Sequence, residues 1–244
     1  MSRVTSKVLR KLGELGEPYH AQLGIDLRSG ESGEVFKWFL ASILFGARIS
    51  EEIAARTYKE FEKEGLLSPR AIIARGWSGL VAVLDRGGYV RYDFSTASQL
   101  LEACDLLLRK YGGDLNRLHE EARDPMDLER RLMEFKGVGP VTASIFLREM
   151  RGVWAKADPL PQPPVLIAAR NLGLIRGKGL RALMELKQLF GQDLVRIEVA
   201  LSRLGRRYCR RERHGECPLA GYCRLFKPVE KDRKEVNHGQ ERRG

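Results

Sequence analysis

The sequence predicts an all-α protein, and three observations carry that expectation. Apolar residues recur at a spacing close to 3.6, as at Leu100, Leu101, Cys104, Leu107 and Leu108, and no segment sustains an alternation of period two. Short polar residues stand before acidic or proline residues at intervals along the chain, which is how helices begin. Glycines follow the periodic runs, which is how helices end.

Residues 35–47 form the longest apolar stretch. It contains Lys37 and falls well short of the roughly 20 residues that a bilayer span needs, so it is expected as a buried helix. Ser50 before Glu51 and Glu52, Ser68 before Pro69, Ser95 before the periodic run and Asp124 before Pro125 are the expected N-caps. Gly112-Gly113 and Gly173 are the expected stops. About ten short helices follow at the usual length of roughly 11 residues. Residues 158–164 hold four prolines, which remove donors and favour extended predecessors, so a linker or shaped loop is expected there. Residues 227–244 carry almost no apolar side chain and are expected to form a basic disordered tail.

At 244 residues and 43% hydrophobic, the chain can bury a sizeable core. Its formal charge of +11 suggests a polyanionic partner. The charge is localised, because residues 201–244 hold 13 Lys and Arg against 6 Asp and Glu. The amino terminus is basic without an apolar core or small-residue cleavage site, so a cytoplasmic location and no membrane association are expected.

The most specific motif is a helix-hairpin-helix over 128–150. An amphipathic run at 128–135 leads into Lys136-Gly137-Val138-Gly139, and Pro140 opens a second amphipathic run. The glycines are expected to permit positive φ and close approach of a ligand, while Val138 plugs into the hairpin's own core. The unpaired N–H groups of Val141 and Thr142 at the start of the second helix, beside Lys136, would then form a phosphate site. Backbone amides on phosphate carry no sequence information, so this element positions DNA without reading bases.

Of four cysteines, Cys104 sits on an apolar helical face and is expected in the core. Cys209, Cys217 and Cys223 cluster as C-x7-C-x5-C, a pattern that in a cytosolic chain favours metal or iron-sulfur ligation over disulfides. A fourth ligand is wanted. His214 is the candidate, and a surface histidine among arginines is the alternative. Folding of the loop between Cys209 and Cys217 would present Arg210, Arg211 and Arg213 as a second phosphate-binding patch.

Taken in order, the buried helix, the hairpin, Asp158 and the cysteine segment resemble the endonuclease III-like helix-hairpin-helix DNA glycosylases, over roughly residues 30–226. The resemblance implies two helical lobes with DNA between them. One would be a barrel at 29–153 that contains the hairpin. The other would join 1–28 to 154–226 and end in a loop holding a [4Fe-4S] cluster. Cys104 matches a buried, non-ligating cysteine of the family.

The departures narrow the expected chemistry. Val141 stands where bifunctional members have the lysine that forms a Schiff base, so the implied enzyme is a monofunctional glycosylase without lyase activity. Asp158, 17 residues beyond Val141, is the match for the carboxylate that stabilises the sugar cation. A turn residue before Pro159 is the alternative at that position. Alignment on the following helix would instead put Gln162 there. The family's C-x6-C-x2-C-x5-C pattern lacks its second cysteine here, which leaves a cluster with an unusual ligand, a zinc ion or an empty loop.

Base flipping needs a wedge and a pocket. The loop 86–94 supplies Tyr89, Arg91 and Tyr92 as candidates, and the family's inserted glutamine is here Ala47. The expected partner is double-stranded DNA with a damaged or mispaired base, bound by a nucleoid-associated monomer. A catalytically inactive binder of damaged, abasic or branched DNA is the second expectation.

Overall fold

A computed structural model describes residues 3–226, and the tail expected at 227–244 lies outside the described residues. These residues form an all-α architecture without strands. The helices are α1 (Arg3–Leu15), α2 (Tyr19–Leu23), α3 (Ser32–Gly46), α4 (Glu51–Lys63), α5 (Pro69–Gly87) and α6 (Asp93–Tyr111). They continue as α7 (Leu115–Glu121), α8 (Pro125–Leu132), α9 (Pro140–Glu149), α10 (Pro163–Asn171), α11 (Gly179–Phe190) and α12 (Leu194–Arg207).

Local chemistry accounts for most boundaries. The side chains of Ser50, Ser68 and Asp124 accept N–H bonds from Ile53, Ala71 and Asp127, and so cap α4, α5 and α8. Gly112 ends α6 in the left-handed region. Ser95, however, lies inside the first turn of α6, where its hydroxyl donates to the Tyr92 carbonyl. The proline-rich segment is also shorter than expected. Pro163 and Pro164 open α10, since the first helical turn has no use for their missing N–H.

Apolar burial then sorts the helices into two cores. The larger runs from Tyr19 to Ala157, with Val199 of α12, around α3, which is buried from Val35 to Phe45 except at Lys37. Phe39 meets Phe135 and Phe146 edge-on at 5.3 and 5.8 Å, so α3, the hairpin turn and α9 share one aromatic contact. Each such ring contributes about 1.5–3 kcal/mol by leaving water. The smaller core joins Val8 and Leu12 of α1 to α10, α11, α12 and Leu219. Tyr19, Leu23, Ile25 and Leu27 belong to the larger core, so the change of core falls before Tyr19, not at residue 29.

Ion pairs join the two cores. Glu51 accepts from Tyr19 Oη at 2.6 Å and from Arg203 and Arg206 of α12 at 3.0 and 3.1 Å. The Arg203 guanidinium lies 4.6 Å from the centre of the Tyr19 ring. Burial pushes the Tyr19 phenol up to about 12, so it stays a donor to Glu51. On the other side Arg151 pairs with buried Glu198 of α12, and its Nη2 donates to the Pro159 carbonyl at 2.6 Å.

Candidate nucleic-acid interface

The hairpin forms where the sequence put it. Gly137 adopts φ 83°, a conformation that favours glycine, and Val138 is buried against the larger core. Gly139 behaves differently from the expectation. Its φ is −90° and its ψ −178°, extended geometry open to any residue. A Cβ placed on it would meet no atom within 4 Å. Glycine is therefore not required there by the chain's own conformation, and it leaves the space in front of α9 open.

Gly139 also caps nothing with a side chain, so the first-turn N–H groups of α9 lack an intrahelical acceptor beside exposed Lys136. Val141 is half exposed immediately beyond. Thr142 is buried against Gly46, so only its backbone can serve a ligand from the front.

Behind the turn lies a cleft of about 370 Å³. Gly137, Thr142, Ala47 and Arg48 line it together with Tyr89, Tyr92, Ser95 and Gln99. The wedge expectation changes at this point. Tyr89 is fully buried, and its hydroxyl donates to the Leu44 carbonyl at 2.9 Å, so it is a wall of the core and cannot be inserted into DNA. Arg91 is exposed and lies 5.5 Å over the ring of half-buried Tyr92.

Asp158 belongs to another region. It lines a cleft of about 680 Å³ with Arg151, Trp154, Lys187 and Gln192, and no residue is common to that cleft and the one behind the hairpin. Lys187 Nζ donates to its Oδ2 at 2.6 Å, and Arg151 Nε stands 3.4 Å from Oδ1. Gln162 occupies the N-cap position of α10 without a capping bond. Among the described residues no carboxylate lines the hairpin cleft.

A third cleft, of about 640 Å³, opens between the two cores. Arg203, Arg206, Arg207 and Arg211 face Ile49, Ser50, Glu51 and Glu52 across it. Of the expected phosphate patch, Arg211 thus turns into this cleft, Arg210 is exposed, and Arg213 is paired with Glu216 through its Nε at 2.8 Å. The three α12 arginines went unnoticed in the sequence, although residues 203, 206 and 207 are spaced to share one helical face.

Cys209, Cys217 and Cys223 are each half-buried, and burial raises the thiols of Cys209 and Cys217. Among the described residues no group of three or more His, Cys, Asp or Glu side chains is arranged to hold a metal ion. A cubane cluster and a tetrahedral zinc usually take four protein ligands, and these side chains are not so arranged. Cys104 is buried, with burial pushing its thiol up to about 12.

The sequence matches no family model and no curated protein. Among solved structures it is similar to one described as a trapped endonuclease III–DNA covalent intermediate in an estranged-adenine complex. The two are 22% identical over 76% of this chain and 82% of the other, with a TM-score of 0.49. A likeness of that degree assigns no residue of this chain. No described helix is long and apolar enough to cross a membrane.

Proposed function

We propose that this chain docks on duplex DNA at a damaged or mispaired base and serves base excision repair as a glycosylase-type protein without lyase chemistry. The hairpin carries the reading: open space at Gly139, an uncapped α9 start and exposed Lys136 together make a phosphate site of backbone amides. Val141 has no amine for a Schiff base, which supports the exclusion of lyase chemistry. In this reading the protein works as a monomer on nucleoid DNA in the cytoplasm.

In the enzymatic form of the reading, the Asp158 carboxylate stabilises the cationic sugar while the bond from C1′ to the base breaks and water adds at C1′. The ion pairs of Asp158 with Lys187 and Arg151 favour a second form, in which the protein recognises a lesion and removes nothing. A sugar cation would have to compete with Lys187 and Arg151 for that carboxylate.

Single-turnover assays on duplexes bearing oxidised, deaminated and alkylated bases, with and without alkali, separate the two forms. Alkali-dependent cleavage abolished by Asp158→Asn establishes the hydrolytic form. Tight binding with no product across the panel establishes the second, and no binding to any duplex sinks both.

A further inference from the structure

The helix α5 is interrupted. Gly76 adopts φ 70° and ψ 169°, so the chain ends one helical segment and restarts at Trp77. That break leaves the Trp77 indole on the surface, 42% exposed, against the ring of Phe94, which is 60% exposed. The ring centroids lie 5.2 Å apart with the planes inclined by 42°. The indole is held in place. Trp77 Nε1–H donates to Ser98 Oγ at 3.1 Å, and Ser98 Oγ donates to the Phe94 carbonyl at 3.1 Å. With its one polar hydrogen already used, the indole presents an apolar π face to solvent. The other two tryptophans are buried, with their N–H groups on Phe146 O and Asn116 Oδ1.

The pair sits at the end of α6 that also serves the hairpin. Phe94 and Ser98 contact Trp77, while Ser95 and Gln99 line the cleft together with Gly137 and Thr142. Phe94 and Gln99 are separated by about 7.5 Å of helix rise and about 140° around the helix, so the rings and the cleft lie on neighbouring sides of the same end of α6. Arg48 on the cleft wall, Arg91 in the loop and Lys136 at the turn are exposed around this end of the helix. Two partly covered rings present far less than the roughly 800 Å² a side that stable protein contacts bury. Asp85 and Asp93 also lie beside Phe94, with Asp93 Oδ1 accepting from the Phe94 N–H at 2.7 Å, so phosphates would be met on the side of the arginines and Lys136 while an aromatic face stacks on a nucleobase.

We propose that Trp77 and Phe94 form a stacking platform for an unpaired DNA base, which gives the chain a preference for DNA with an unstacked nucleotide near the hairpin contact. The proposal rests on the DNA-binding reading above and adds the feature of the DNA that is selected.

The test uses the full chain with three labelled ligands: an intact duplex, the same duplex with one abasic site that leaves the opposite base unpaired, and the single strand. Affinity is read by anisotropy and stacking by tryptophan emission, in which Trp77 is the exposed reporter. The abasic duplex and the single strand should quench Trp77 more than the intact duplex does. Trp77→Ala and Phe94→Ala should each weaken binding to those two ligands by about tenfold and leave intact-duplex affinity within about twofold. Trp77→Phe, which keeps a ring, should restore most of the loss. Equal affinity of the wild type for all three ligands overturns the platform and leaves the hairpin anchor standing. So does a loss in the variants that is uniform across ligands, or self-association of the wild type that the variants abolish without any effect on DNA. Failure of the wild type to bind any DNA overturns both the anchor and the platform.

Discussion

Gly137 and Gly139 are two residues apart and are glycine for different physical reasons. Gly137 is held at positive φ with Gln99 Oε1 only 2.8 Å from where a Cβ would stand, so a side chain there strains the turn itself. Gly139 is neither strained nor crowded. Gly139→Ala should therefore leave the melting temperature nearly unchanged and weaken duplex binding by about tenfold, the effect of losing one charge-assisted hydrogen bond to phosphate. Melting curves beside salt-matched binding isotherms check this, and unchanged affinity would remove the close approach of DNA to the turn. The sequence displayed both glycines, but their difference depends on backbone angles and on Gln99, which arrives from another helix.

At the scale of elements, α8 shows how an ionic cluster braces the hairpin from behind. The Asp127 side chain accepts from the Arg123 N–H at 3.0 Å, from Arg131 Nε at 3.0 Å and from Arg130. These bonds, the backbone one first, hold its carboxyl well below the usual carboxylate range. A lowered folded pKa means stability that is fully present above the ordinary Asp value of about 3.9 and is lost as pH falls through the lowered value. Asp127→Asn should accordingly unfold at lower urea than the wild type at neutral pH, with the gap closing in acid; a gap independent of pH would deny the carboxylate this role. Helix boundaries were legible because caps and prolines act within one turn. The α12 arginines were missed because a basic helical face looks the same in sequence whether it meets solvent or lines a cleft.

At the scale of the whole molecule, two cores are tied by buried and half-buried charges, and those ties bear on function. Arg151 is shared between Glu198, Asp158 and the Pro159 carbonyl, so the carboxylate expected to be catalytic is part of the joint between cores. Burial raises the Glu198 carboxyl against the lowering pull of Arg151. Glu198→Ala leaves Arg151 without its buried partner and should cost about 3–5 kcal/mol, read from urea unfolding; a loss near that of an ordinary surface change would show that the pair does not hold the joint.

The sequence by itself determined the all-α class, the capped helix starts, the buried helix at 35–47 and the hairpin with its plugged Val138. Each depends on periodicity, cap chemistry or glycine within a few neighbouring residues. Only the tertiary structure decided that Tyr89 is a core wall, that Asp158 is bound by Lys187 and Arg151, and that Trp77 rests on Phe94. Tyr89 meets Leu44 45 residues away, Asp158 meets Lys187 29 residues away, and Trp77 and Phe94 are 17 residues apart. Which of several chemically equivalent partners a side chain meets is settled by packing of the helices around two cores, and no local pattern records it.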